Sequence, residues 1–406
     1  MNDRVTSWRD GPRRMGVRRH FPRRALALAV ASCFAGGAQA NPTGGAVVSG
    51  QASISQQGKT LTITNTPGAI INWQGFSVGR DEVTRFLQQG ASSAVLNRVV
   101  GVNPSLILGT LQSNGRVFLI NPNGIVVGPN AQIDVAGLVA STLNITDKDF
   151  AAGRMKFGDT PNAAALVNQG TISTPAGGQV VLLAPRVENS GIITSPKGEV
   201  ILAAGRSVEL VDVANPQLRV VIDAPANETV NLGKVVAEGG RVSLYGTVIR
   251  NSGELRANTA VRGENGEILL RAKKDVELTK ESVITASGPT AGKITIEAEG
   301  GSAKVAGRIE ANATEAAGGS VQVRAHADLT VQAQALITAS GRSGGEVVLR
   351  AVSGTSLVSG TVEARGAGVA ASLAAGAENA DGSGNGGTIQ VLGRNVGLIE
   401  AAVLDA

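Results

Sequence analysis

INWQGFSVGRDEVTRFLQQGASSAVLNRVVGVNPSLILGTLQSNGRVFLINPNGIVVG runs from Ile71 to Gly128. Short apolar runs of period two, such as Val117 with Leu119 and Ile125 with Val127, alternate with Asn, Pro and Gly. This pattern is strand, turn, strand, turn, with no room for long helices. Asn121-Pro122-Asn123-Gly124 is a compact turn: Pro122 presets φ, while Asn123 and Gly124 tolerate positive φ.

Downstream, one pattern recurs: Gly, any residue, then alternating apolar residues. It starts at Gly178, Gly198, Gly240, Gly266, Gly292, Gly319, Gly345 and Gly387, at spacings of 20, 42, 26, 26, 27, 26 and 42. Each 42 is either two short turns or one turn with a loop. A second element, Val283-Ile284-Thr285-Ala286-Ser287-Gly288, matches Leu336-Ile337-Thr338-Ala339-Ser340-Gly341, so each unit holds at least two short strands. A single unit cannot bury its apolar side; stacked units can. The expected fold is all-β, a right-handed parallel β-helix with coils of roughly 20–27 residues. Asn168-Gln169-Gly170, Asn189-Ser190-Gly191 and Asn251-Ser252-Gly253 read as turns stacked coil on coil, where Asn extends hydrogen-bonded ladders. Thr146 to Pro161 is polar but carries Phe150 and Phe157, and is expected to leave the coil and pack on its flank. Ala367 to Gly387 reads as a low-complexity insertion between coils.

Residues 1–24 hold eight arginines and two aspartates, followed by an apolar run from Ala25 to Phe34 and then Ala38-Gln39-Ala40 before Asn41. This is the layout of a secretory signal cleaved after Ala40. The run is too short to span a bilayer. Val30-Ala31-Ser32-Cys33 resembles a lipoprotein box, but that cleavage leaves an apolar run of about six residues, short of the usual h-region. Arg18-Arg19 fits an ordinary basic n-region better than a twin-arginine signal. Removing residues 1–40 leaves 29 basic and 30 acidic residues, so charge gives no argument for nucleic-acid binding. The single cysteine, Cys33, lies in the presequence, so no disulfide staples the rest.

Residues Asn72-Trp73-Gln74-Gly75-Phe76, Val95 to Val99, Leu108 to Leu111, Asn121 to Ile125 and Gly137 to Leu143 resemble the N-terminal two-partner secretion domain (haemagglutination activity domain) of filamentous haemagglutinin-like exoproteins. One departure is Asn103-Pro104-Ser105-Leu106, where many members carry Asn-Pro-Asn-Leu. The resemblance implies a β-helix with small extra-helical strands or loops in its N-terminal part. It implies a secreted or surface exoprotein of a Gram-negative bacterium, adhesin-like, exported via the periplasm by a cognate outer-membrane barrel transporter. Host-cell surfaces or glycans are further expected partners, and the membrane is met only in transit. The expected organisation is a signal peptide at 1–40, a secretion domain at 41–235 and a β-helical stalk at 236–406. The expected secretion motif is Asn103, Pro104, Asn121, Pro122, Asn123, Gly124 and Ile125. Trp73 and Phe76 are expected in the core.

β-Helices also serve as polysaccharide-active enzymes, which need clustered carboxylates or a positioned base. After residue 40 the only histidine is His326, and Asp147 and Asp149 flank Lys148 in what reads as a loop. Arg271-Ala272-Lys273-Lys274 runs straight into Asp275 and Glu277, the mark of a solvated strand. No catalytic residues, metal or cofactor are expected. A single-chain autotransporter passenger would need barrel strands beyond these residues. Val403 to Ala406 aligns with Val283 to Ala286, where another Gly strand follows, so the expectation is one part of a longer exoprotein.

Overall fold

The computed structural model describes residues 41–158, 160–211, 217–219, 228–367, 385–399 and 401–406. The presequence with Ala38 and Ala40, and most of the loop expected at 367–387, lie outside the described residues. The remainder is a β-helix whose coils each lay down strands on three parallel sheets. The Gly-led strands form one in-register ladder: Val180 pairs with Val200, Val200 with Val242, Val242 with Ile268 and Ile268 with Ile294. The second sheet stacks three-residue strands such as Ile192–Thr194, Lys234–Val236 and Val283–Thr285. A third sheet, which the repeats alone do not reveal, carries Leu166–Asn168, Arg186–Asn189, Glu228–Asn231 and, further on, Ala303–Val305 and Leu329–Val331.

The long intervals resolve into single coils with insertions. Glu199 pairs directly with Arg241, and Glu346 with Thr388. The N-terminal end is built differently: Ala46–Ser49 runs antiparallel to Ala69–Trp73, and Ala52–Gln57 antiparallel to Thr60–Asn65.

Val, Ile, Leu and Ala fill the lumen of the helix along its whole length. At the N-terminal end Trp73 and Phe76 are buried in it as expected, and Phe86 joins them, with Trp73 edge-on to Phe76 at 5.7 Å and Phe76 stacked on Phe86 at 6.4 Å. The Trp73 indole N–H donates to the Asn97 side-chain oxygen (2.9 Å), and the Asn97 amide donates to the Phe118 carbonyl (3.3 Å). A buried indole and a buried carboxamide thereby satisfy each other.

A second apolar layer lies outside the coil. Phe118, Val139, Val181, Leu183, Ile201 and Tyr245 point outward and are still buried. Phe150, Phe157 and Val208 cover them. The cover is a four-stranded antiparallel sheet made of Asn144–Ile145, Met155–Gly158, Val208–Val211 and Gln217–Arg219. This explains a change in the sequence pattern. Gln179–Ala184 and Glu199–Ala204 read as continuous apolar runs because both faces are buried. Lys293–Ala298 and Ser320–Ala325 alternate because only the inner face is. The segment expected as a loop around Asp147 and Asp149 is a short helix, Asp147–Ala151, whose N-cap Thr146 accepts from the Asp149 N–H. Arg98 fastens it to the coil, donating to Asn144 Oδ1 (3.2 Å) and the Ile145 carbonyl (2.7 Å) and pairing with Asp147 (2.7 Å).

Two kinds of corner hold the coils in register. A Cβ on Gly198, Gly240, Gly292, Gly319, Gly345 or Gly387 would sit 2.0–2.2 Å from the carbonyl oxygen of the matching Gly one coil earlier. That space exists only without a side chain. The second corner is a column of fully buried asparagines: Asn168 donates to Asn189 (2.8 Å), Asn189 to Asn231 (2.8 Å), Asn231 to Asn251 (2.7 Å) and Asn251 to Ser282 (2.6 Å). The stacked turns read from the sequence are thus one ladder, with Asn231 as the member that its spacing hid.

Asn231→Ala leaves the Asn189 donor and the Asn251 acceptor unpaired in a dry column. It should destabilise the folded chain by about 2–4 kcal/mol in urea unfolding. Ser190→Ala, at the exposed position of the turn one coil earlier, should cost under about 1 kcal/mol. Burial pushes the Tyr245 phenol up to about 12. Unfolded tyrosine ionises near 10, so this contribution is intact below that pH and is lost as pH rises to about 12. Its loss amounts to something on the order of 2–3 kcal/mol. Tyr245→Phe should flatten that alkaline limb; an unchanged limb would assign it to other groups.

Candidate functional site

The Asn-Pro-Asn-Gly turn sits at a corner of the N-terminal coils. Gly124 N–H closes it onto the Asn121 carbonyl (3.1 Å), and Gly124 has φ +117°, so the positive-φ position is Gly124 and not Asn123. Asn121 is fully buried and uses its whole carboxamide. Its Nδ2 donates to the Asn103 carbonyl (3.0 Å) and to Ser105 Oγ (2.9 Å), and its Oδ1 accepts from the Asn123 N–H (3.0 Å) and Nδ2 (3.2 Å). Asn123 Nδ2 also donates to the Gly101 carbonyl (2.9 Å), and Ser105 N–H to the Gly124 carbonyl (2.9 Å).

The fold therefore brings Asn103, Pro104, Asn121, Pro122, Asn123, Gly124 and Ile125 together, the first turn stacked on the second. Ser105, the departure from Asn, supplies the hydroxyl that accepts from Asn121. Ile125 is buried in the lumen cluster. Asn103 and Asn123 are exposed, and Pro104 and Pro122 half-buried. Asn41 lies apart, at the start of the described chain, where its side-chain oxygen accepts from the Thr84 hydroxyl (3.1 Å).

Three residues of this corner carry no sequence signal. Val102 is 83% exposed and Val100 50%, an unusual place for two valines. Gly101 between them is required by proximity, because a Cβ there would lie 1.9 Å from the Gln74 carbonyl oxygen.

Elsewhere many of the charged residues are engaged with one another. The Thr146 hydroxyl and then Arg154 hold the Asp149 carboxyl below its usual range. Asp147 is bound by Arg98. Glu228 lies between Arg186 (2.9 Å) and Arg250 (2.7 Å), and Arg271 pairs with Glu297 (2.8 Å). Lys273 and Lys274 are exposed on the strand Glu267–Leu278, as expected for a solvated edge. His326 is exposed beside the strand Ser320–Ala325.

Residues 38–284 match the TPS secretion domain family. The chain is 30% identical over 281 residues to the heme/hemopexin-binding protein of Haemophilus influenzae, covering 64% of this chain and 30% of that protein. It is 27% identical over 194 residues to the hemolysin of Proteus mirabilis, covering 44% of this chain and 12% of that one. It therefore spans under a third of the length of the curated relatives it matches. Among solved structures, the HMW1 secretion domain from Haemophilus influenzae is similar, with a TM-score of 0.80 and 31% identity over 90% of this chain and 98% of that one. The corner, the coil and these matches place the chain in the two-partner secretion-domain family, the secreted β-helical exoproteins that pass through the periplasm and cross the outer membrane by way of a cognate transporter.

Proposed function

We propose that this is an adhesin-like, non-enzymatic exoprotein whose N-terminal coils are at once its export signal and its folding nucleus. Residues 1–40 direct entry to the periplasm, with cleavage after Ala40; residues 41–235 engage the transporter; residues 236–406 form a stalk that presents surface to host cells or glycans. The observation that carries the reading is the corner of two stacked Asn-Pro turns. Asn121 spends its hydrogen bonds internally and builds the turns, while Val102, Asn103 and Asn123 face outward. The outward group is the transporter contact and the inward group is its scaffold. A binding role accords with the ion-paired outer carboxylates and with relatives named for binding and lysis.

Substitutions separate the two roles. Gly124→Val should cost on the order of 1–2 kcal/mol through its backbone and lower secretion while the chain still reaches the periplasm. Val102→Asp should leave the unfolding of the purified chain unchanged and still lower secretion. Normal amounts of Val102→Asp in the culture medium would remove the contact role, and normal amounts of Gly124→Val would remove the whole corner.

Stacking supports the folding role, since each coil templates the next and burial accrues outside the cell. Thr171 and Ile192 are in-register neighbours on successive coils, both exposed. A Thr171→Cys, Ile192→Cys pair is within bridging distance across adjacent strands. Oxidised, it should stall export in the periplasm, and reductant should release it. Unimpeded secretion of the oxidised chain would refute passage in an unfolded form.

A further inference from the structure

Charges on the outer faces follow a rule. Along the Gly-led ladder Glu199, Arg241, Glu267 and Lys293 are in register and alternate in sign. Arg241 pairs with Glu267 at 2.8 Å, and Lys234 with its neighbour Glu254 at 3.1 Å. Where two acids meet, Glu363 beside Asp405, Arg365 bridges them at 2.9 and 2.8 Å. One step breaks the rule. Arg271, Glu297, Arg324 and Arg350 form a single column, and Arg324 is the direct register partner of Arg350. Glu297 is already engaged by Arg271. Among the described residues neither Arg324 nor Arg350 has an ion pair or a side-chain hydrogen bond. Both are exposed. Like charges opposite one another on paired strands destabilise the pair, and these stand one strand spacing apart, about 4.8 Å.

Beside the break is a hollow of about 230 Å³ lined by Glu297, Ala298, Glu299, Arg324, His326 and Val352. Its chemistry is mixed. Arg324 lines it and Arg350, its register partner on the next strand, stands beside it, and two guanidinium forks suit a planar or tetrahedral anion. Glu297 and Glu299 offer acceptors for hydroxyl groups, and Val352, 37% exposed, offers an apolar wall. A nucleic acid fits poorly, since its closely spaced phosphates would meet both glutamates and His326 is the single ring in the lining, against the successive aromatic platforms that single strands stack on. We propose that Arg324 and Arg350 form a subsite for the anionic group of an acidic polysaccharide, with its hydroxyls turned to Glu297 and Glu299.

The test uses the secreted chain with four probes: a size-defined sulfated octasaccharide, a non-sulfated uronate polymer, neutral dextran and a single-stranded oligonucleotide. Calorimetry should detect salt-dependent binding of one or both acidic glycans and none of dextran; which of them binds identifies sulfate or carboxylate as the anion. Arg324→Gln with Arg350→Gln should weaken it roughly tenfold or more, while Lys148→Gln with Lys280→Gln, the same charge change elsewhere, should not. Arg350→Glu restores the alternation, so it should abolish binding and raise the thermal midpoint. The proposal is overturned if neither acidic glycan binds, if the oligonucleotide binds more tightly, if both double variants lose equally, or if Arg350→Glu lowers the midpoint.

Discussion

The fold depends on how closely one backbone corner can lie upon another. At the Gly-led corner, the carbonyl oxygen of one coil occupies the place a Cβ of the next would take. The same oxygen accepts the N–H of the following residue one coil later, as Gly178 does from Glu199 and Gly198 from Arg241. Hydrogen bonding pulls the coils together and the missing side chain lets them arrive. These glycines have ordinary φ values, so the requirement is one of space rather than of torsion, in contrast to Gly124. Everything that makes the coils periodic, including the lumen of small aliphatic residues and the buried asparagine column, assumes this contact distance.

The second determinant is which face of a strand meets water. On the strands that stack from Phe118 to Tyr245 the outward residues Phe118, Val139, Val181, Leu183, Ile201 and Tyr245 are covered and apolar; on the later strands of that sheet the outward positions carry threonines, glutamines and ion pairs. The aromatics follow this division. Trp73, Phe76 and Phe86 close the lumen where the first coils begin, Phe118, Phe150 and Phe157 join cover to coil, and the later coils need none because aliphatic side chains fill them. Exposed ion pairs add little apiece, so alternation of sign keeps the coils in register chiefly by penalising wrong neighbours.

Much of this was legible beforehand because the signals are steric. A Gly that must lie under a carbonyl recurs at the coil period, and a turn that needs positive φ shows as Asn-Gly. The third sheet was not legible, since strands of three residues such as Ala303–Val305 have no glycine to announce them. Asn231 was hidden by the insertion that stretches its coil, and by Leu232 where its fellows have Gln or Ser. The helix Asp147–Ala151 is too short to show a period and is set by its Thr146 cap. In the candidate site, Asn121 and Gly124 were readable from turn chemistry, whereas Val102 was not, because nothing in a valine's neighbours records that it faces outward.

The antiparallel cover has an order of assembly written into its topology. Met155–Gly158 hydrogen-bonds to Val208–Val211, about fifty residues later in the chain. For that interval Phe157 is paired on one side only, with Asn144–Ile145, and the outward residues of the coils beneath lack their full cover. The cover therefore acts as a clasp rather than a template: it can fasten only once the coil between Glu199 and Arg241 has begun, and from then on the earlier coils can no longer peel away one at a time. A structure that otherwise grows by repetition acquires one step that locks several coils together.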